Sequence, residues 1–173
     1  MHNSLRLRRI VYAGMFAAMG IVLKIFAITT GEFRASFFDL PLFLGGIVLG
    51  PIYGLIIGFV VDWLYVMIHP LAFSFNLMTV STMLWGFMGG LIFFQKRHLS
   101  TPLLTATIVV TSIVAFSLNS LQLYIWLGPG MLAQVPLRLL TMVIKWPIQV
   151  FAIKVLHERV IVSFAMQTMR AFH

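Results

Sequence analysis

The residues with the clearest chemical potential form a polar stripe within an apolar segment of the C-terminal third of the chain. Its members are spaced by four, three, four and four residues: Gln134, Arg138, Thr141, Lys145 and Gln149. This spacing puts all five on one face of a helix. Charged groups within an apolar span are costly and mark functional sites. Two interpretations of Arg138 stay open. It can belong to a functional site, or, as a cation near a helix end, it can extend to the lipid–water interface.

A carboxylate lies in a second apolar segment. Asp62 follows Gly54 and Gly58 at intervals of four residues, so all three share one helical face. Glycines at this spacing allow a neighbouring helix to approach closely in a membrane. An ionisable residue among apolar ones is a candidate for function. The alternative for Asp62 is a structural ion pair with Lys145 or Lys24.

Other polar and aromatic residues fall at the same ends of the expected helices as Asp62 and Arg138. We predict that they line one small-molecule cavity, in which a few polar groups lie among aromatic walls. These further candidates are Phe33, Arg34, Phe37, Tyr65, Asn76, Thr79, Asn119, Gln122, Trp126 and Gln134. The cations among the candidates favour an anionic ligand. Interhelical hydrogen bonds for the polar groups, and an interfacial belt for the aromatic ones, are the alternatives.

The composition fixes the class of protein. Of 173 residues, 61% are hydrophobic and 9% charged, with a mean hydropathy of +1.02, whereas a soluble domain is about 25% charged. The sequence therefore predicts an all-α integral membrane protein with a single domain over residues 1–173. Six transmembrane helices are expected at residues 9–28, 37–49, 51–68, 76–95, 103–127 and 136–156. The second is short for a complete span, and the tail after the sixth is expected to lie at the membrane interface.

The charge pattern orients these helices. The net charge of +8 reflects basic residues at the ends of the segments, so the positive-inside rule explains it better than nucleic-acid binding does. The rule places both termini in the cytoplasm. The chain has no cysteine and no phosphate-binding loop of the Walker type. We therefore expect no metal, no cofactor and no ATPase site, and no catalytic residues are predicted.

The first helix carries small residues at intervals of four. They form two pairs, Ala13 with Ala17 and Gly14 with Ala18. Such patterns allow close helix packing in lipid. Packing within the bundle and docking to another membrane subunit are both compatible with them, and we predict docking.

The chain resembles the substrate-binding S components of energy-coupling factor (ECF) vitamin transporters, in the folate-family group. The resemblance is carried by residues 34–41 (RASFFDLP), 45–54 (GGIVLGPIYG), Gly58 and Asp62, and it extends to residues 82–90. The small residues of the first helix match the docking motif of the family. Asp39 departs from the commoner glycine-and-aromatic pattern before Leu40.

The resemblance implies a non-enzymatic subunit in the bacterial plasma membrane that binds a vitamin tightly from outside. It also implies a transmembrane coupling subunit and two cytosolic ATPases as partners, and toppling of the S component after capture. Folate is the favoured substrate, with pantothenate as the alternative. A small integral membrane enzyme that uses Asp62 or His69, and a purely structural subunit, are the alternatives from other classes.

Overall fold

The computed structural model describes the backbone of residues 2–30, 33–68, 76–94, 96 and 98–161. It also describes the side chains of these residues, except those of residues 2–6, 28–30, 33–35, 160 and 161. The described residues form six α-helices: α1 (His2–Ile25), α2 (Asp39–Leu49), α3 (Pro51–Ile68), α4 (Leu77–Phe93), α5 (Thr101–Leu127) and α6 (Val135–Leu156). A 3₁₀ helix, Gly128–Gln134, joins α5 to α6, and a π-helical turn, His157–Ile161, follows α6. Two predicted features lie outside the described residues, namely the tail after residue 161 and His69.

The helix boundaries follow from ordinary local signals. Asn76 caps α4: its side chain accepts from the backbone of Met78 and Thr79, and Thr79 completes a capping box. Gly50, at a φ of 102°, ends α2, and Pro51 begins α3 as its first residue. The expected helices match the structure to within three residues at their ends, except that α1 begins seven residues earlier.

The polar connection between α1 and α2 differs from the sequence expectation. It forms a two-stranded antiparallel hairpin, β1 (Ile28–Thr30) with β2 (Phe33–Ala35), in which Thr29 pairs with Arg34. Three-residue strands are too short to show an alternating hydrophobic pattern, so sequence periodicity cannot reveal them. The hairpin leads directly into the start of α2.

Glycines bring the backbones of α2, α3 and α4 into direct contact. A Cβ atom added at Gly58 would lie 2.6 Å from the Cα atom of Met83. Cβ atoms at Gly54 and Gly86 would each overlap the carbonyl group of the other residue, and one at Gly46 would overlap the carbonyl oxygen of Gly86. The predicted close approach at Gly54 and Gly58 is therefore confirmed, and its partner is α4.

The short helix α2 lies in the middle of the bundle. Nine of its eleven residues are buried, and it packs against α1, α3 and α4. The ring of Phe43 contacts Trp85 edge-on at 6.4 Å and Phe93 at 6.0 Å between centroids. Burial on nearly all sides explains why α2 is apolar without a pronounced stripe.

Two described helical stretches are long and apolar enough to cross a membrane. They are Pro51–Ile68 and the continuous stretch Thr101–Arg159, each of which contains an 18-residue window with a mean hydropathy of 1.9. The helices Asp39–Leu49 and Leu77–Phe93 are apolar but shorter. The described residues thus form a largely helical fold with apolar outer surfaces.

The small residues of α1 do not share one environment. Ala17 is 8% exposed and belongs to the core, and Ala13 packs against that core. Gly14 and Ala18 are exposed, and a Cβ atom at Gly14 would meet nothing within 4 Å. For Ala13 and Ala17 the structure therefore shows the alternative of packing within the bundle, whereas the docking prediction for Gly14 and Ala18 stays a prediction. Neighbouring positions on a helix differ by about 100° in direction, which separates the two pairs.

Replacing Gly86 by alanine should destabilise the fold, because the new methyl group overlaps the backbone of α3 and no rotamer relieves the clash. We expect a loss of about 1–3 kcal/mol or more in the free energy of unfolding. Gly14→Ala is the matched control, since its methyl group enters open space and the change removes a helical glycine. Thermal unfolding in detergent measures both variants, and equal midpoints would contradict the close contact of α3 with α4.

Candidate ligand-binding cavity

A cavity of about 450 Å³ opens at the end of the bundle where α1 ends and α2 begins. Side chains of all six helices and of the segments before α2, α4 and α6 line it. Its polar lining comprises Lys24, Ser36, Asp39, Asp62, Tyr65, Asn76, Ser81, Thr82, Ser112, Asn119, Gln134, Arg138, Thr141, Lys145 and Gln149. Its size lies within the range of small-molecule sites.

One wall is built on the ion pair between Lys24 of α1 and Asp62 of α3. Asp62 is 3% exposed, and its two oxygens are both occupied. Oδ1 accepts from the ammonium group of Lys24 and, at 3.4 Å, from the Thr82 hydroxyl. Oδ2 accepts from the Thr79 hydroxyl. Lys24 also lies over the rings of Phe38 and Tyr65, at 4.9 and 5.0 Å from the centroids. The structural alternative for Asp62 is thus realised with Lys24, within the cavity wall.

A second ion pair joins α6 to the start of α2. Nζ of Lys145 lies 2.9 Å from Oδ2 of Asp39 and donates to the carbonyl oxygen of Ser36 at 2.6 Å. The same Oδ2 accepts from the Gln149 amide. Nζ of Lys145 also lies 5.5 Å from the ring centroid of Phe37. The two lysines considered for Asp62 therefore serve two different carboxylates.

Arg138 lies on the cavity wall without a carboxylate partner among the described residues. Its guanidinium carbon is 5.6 Å from the ring centroid of Phe116, and its Nη1 is buried without a hydrogen bond. The described lining contains three cationic side chains and two carboxylates, both of them paired. One positive charge is therefore available for an anionic ligand.

Most of the residues predicted from sequence occur in this region. Eight of them line the cavity: Asp62, Tyr65, Asn76, Asn119, Gln134, Arg138, Thr141 and Lys145. Two others contact lining residues, Thr79 by its bond to Asp62 and Phe37 by its contact with Lys145. Gln122 lies outside the lining, and its Oε1 accepts from the backbone of Leu77 at 3.1 Å, between the lining residues Asn76 and Met78. Trp126 is 46% exposed and is not part of the lining. Phe33 and Arg34 belong to β2, and their side chains lie outside the described residues.

Sequence reasoning missed several lining residues. The most important is Asp39, which is 2% exposed. It satisfies the same criterion as Asp62, a carboxylate among apolar residues, because it lies between Phe38 and Leu40, and that criterion identifies it. Ser81, which donates to Oδ1 of Asn119 at 2.8 Å, gives no such signal because hydroxyls are common in membrane helices.

The chemistry available in the cavity is that of recognition. Among the described residues, no group of three His, Asp or Glu side chains is arranged to hold a metal ion. The carboxylates are held by lysines, and the remaining polar groups are amides, hydroxyls and one guanidinium. Such a set can bind an anion and pair with amide-like donors and acceptors of a ligand.

Comparison with known proteins gives concordant results. The family model for the ECF transporter, substrate-specific component, matches residues 8–163. The folate transporter FolT of Clostridium novyi (strain NT) is 27% identical over 144 residues, which cover 83% of this chain and 84% of that protein. The crystal structure of FolT bound with folic acid superimposes with a TM-score of 0.77 at 26% identity, covering 87% of this chain and 93% of that one.

Removing one member of the Lys24–Asp62 pair should be far more harmful than removing both. Asp62→Leu leaves a buried lysine without its carboxylate, and we expect a loss of about 3–5 kcal/mol in the free energy of unfolding. Lys24→Met combined with Asp62→Leu should recover most of it. Thermal unfolding in detergent of the two single variants and the double variant measures the coupling. Additive effects would show that the pair does not hold α1 to α3.

Proposed function

The chain belongs to the family of ECF transporter substrate-specific components, and on that premise we propose that its cavity captures folate. The observation that carries this proposal is Arg138 on the cavity wall, which lies beside the ring of Phe116 and has no carboxylate partner in the part of the chain that the structure describes. A guanidinium offers paired donors that match a carboxylate, and folate ends in a glutamate with two carboxylates. The names of the two FolT relatives support the same substrate.

The rest of the cavity suits the rest of such a ligand. The flat pterin and benzoyl rings of folate can pack against aromatic side chains, and Phe38, Tyr65, Trp85 and Phe116 line the cavity. The predicted Phe33, Phe37, Arg34 and Trp126 remain candidates for contacts near the opening. Folate thus combines an anionic end, which suits the guanidinium of Arg138, with a planar head, which suits the aromatic part of the lining.

We further propose the membrane arrangement of this subunit. Its single six-helix domain crosses the bacterial plasma membrane six times with both termini in the cytoplasm, so the cavity opens to the outside. The basic residues at the segment ends support this orientation. The subunit has no ATPase site of its own and works with a transmembrane coupling subunit and two cytosolic ATPases.

Calorimetric titration of folic acid into the purified chain tests the substrate. We expect a Kd in the nanomolar range or below, about −12 kcal/mol. Arg138→Ala should weaken binding by about 2–5 kcal/mol, partly because the ligand carboxylate is left buried without its partner. Arg138→Lys is the control that keeps the charge but loses the paired donors, and it should fall between wild type and Arg138→Ala.

Two results would contradict this assignment in different ways. Tight binding of pantothenate with no heat from folic acid would exclude folate and leave the family assignment in place. Undiminished folic acid affinity in Arg138→Ala would show that this side chain only extends towards the interface. Turnover of a ligand by the purified chain alone would favour a membrane enzyme.

The exposed small residues of α1 are the proposed contact with the coupling subunit. Gly14→Trp and Ala18→Trp should abolish folate uptake in cells that produce all subunits, because a large side chain prevents close helix approach. Folic acid affinity of the purified variants should change less than about tenfold, or 1.4 kcal/mol. Ala13 and Ala17 are unsuitable for this test because they pack within the bundle.

Ala106→Trp on α5 is the matched control for the uptake measurement. It introduces the same enlargement at another exposed alanine and should leave uptake unchanged. Normal transport by both α1 variants would show that this face of α1 contacts lipid alone.

A further inference from the structure

Two buried oxygen acceptors in the cavity wall lack hydrogen-bond donors among the described residues. They are Oδ1 of Asp39 and Oε1 of Gln149. Both residues line the cavity and are almost completely buried. The amide of Gln149 donates to the other oxygen of the same Asp39 carboxylate, so the two side chains are in direct contact. The unused acceptors therefore belong to one compact pair, which we call the acceptor pair.

Buried acceptors are normally satisfied, because an unpaired one loses its hydration without compensation. Lys145 and Gln149 both donate hydrogen bonds to Oδ2 of Asp39. Oδ1 is therefore the carboxylate oxygen that can still accept hydrogen bonds. A group that enters the cavity with suitably placed N–H donors would satisfy both acceptors at once. The wall is thus complementary to a ligand that brings donors.

The other buried carboxylate of the cavity does not share this property. Both oxygens of Asp62 have partners within the protein, from Lys24, Thr79 and Thr82. Asp62 therefore has a structural role in the wall, whereas Asp39 has an oxygen left for a ligand. The two carboxylates are similar in burial and in having a lysine partner, so they form a natural pair for comparison.

The distance along α6 between the acceptor pair and Arg138 is informative as well. Gln149 follows Arg138 by eleven residues, which corresponds to roughly 16 Å along a helix at 1.5 Å per residue. One end of the cavity wall therefore offers acceptors, and the other end offers a cation that no described carboxylate neutralises. An elongated ligand with N–H donors at one end and a carboxylate at the other can engage both.

We propose that Asp39 and Gln149 together accept hydrogen bonds from two neighbouring N–H groups on a planar head of the ligand, while Arg138 binds its distant carboxylate. This inference rests on the proposed function, and it assigns the orientation of folate. The pterin head carries a ring N–H next to an exocyclic 2-amino group, which supplies two neighbouring donors. Asp39 and Gln149 thereby determine specificity for the head, separately from recognition of the acid.

The test combines variants of the full-length chain with two ligands in calorimetric titrations. The ligands are folic acid and its analogue with hydrogen in place of the 2-amino group. Wild type should prefer folic acid by about tenfold or more, the usual effect of a hydrogen bond to a charged group. In one of the two variants, Asp39→Asn or Gln149→Met, this preference should fall below about threefold, because that variant removes the acceptor of the 2-amino group. The other variant removes the acceptor of the ring N–H, which both ligands share, and should weaken the binding of both ligands by about tenfold.

Asp62→Asn is the matched control. It also neutralises a buried, lysine-paired carboxylate of the cavity but touches neither member of the acceptor pair, so it should keep the preference for folic acid. If Asp39→Asn fails to fold, Gln149→Met decides the question, because it leaves both carboxylates and their lysines in place. It should either remove the preference or weaken both ligands alike, and unchanged binding of both ligands would overturn the inference.

A preference retained in Asp39→Asn and Gln149→Met would overturn the inference and leave the proposed function intact. An equal loss of preference in Asp62→Asn would also overturn it, since the effect would then be general to the cavity. Absence of any folic acid binding by wild type would instead overturn the proposed function, and the orientation with it.

Discussion

The cavity depends on the compensation of two buried carboxylates. Each carboxylate lies on a different helix and has a lysine partner from a third or fourth helix: Asp62 with Lys24, and Asp39 with Lys145. A buried charge is tolerated only when a partner and further hydrogen bonds replace its hydration. The two pairs therefore fix how α1 meets α3 and how α6 meets α2, and the space between them is the cavity.

The glycine contacts and the ion pairs stabilise different sides of this site. Backbone contact through Gly46, Gly54 and Gly86 makes α2, α3 and α4 a closely packed unit. The helix α6 packs less extensively against it and, with the turn before it, presents the polar stripe from Gln134 to Gln149 towards the cavity. One side of the site is thus held by van der Waals contact, and the other by a few polar bonds across the cavity.

The sequence predicts the helices well because apolar length, Gly–Pro turns and the cap at Asn76 are all local signals. It also predicts the stripe through Arg138 and Lys145, because helical periodicity places residues on a face without knowledge of neighbours. It cannot decide whether Asp62 pairs with Lys24 or Lys145, since that depends on which helices become adjacent. For the same reason the separation of buried Ala17 from exposed Gly14 becomes visible only in the packed bundle.

The contact of α3 with α4 also bears on how ligand preference can diverge in evolution. No side chain can be added at Gly46, Gly54 or Gly86 without moving backbone, so these positions tolerate little sequence drift. The lining positions of α5 and α6 are not constrained in this way, and their side chains can be exchanged while the packed unit stays unchanged. New preferences would therefore arise by substitution of lining side chains, on α5, on α6 and at Asp39 of α2, with the glycine contacts of the α2–α4 unit inherited intact.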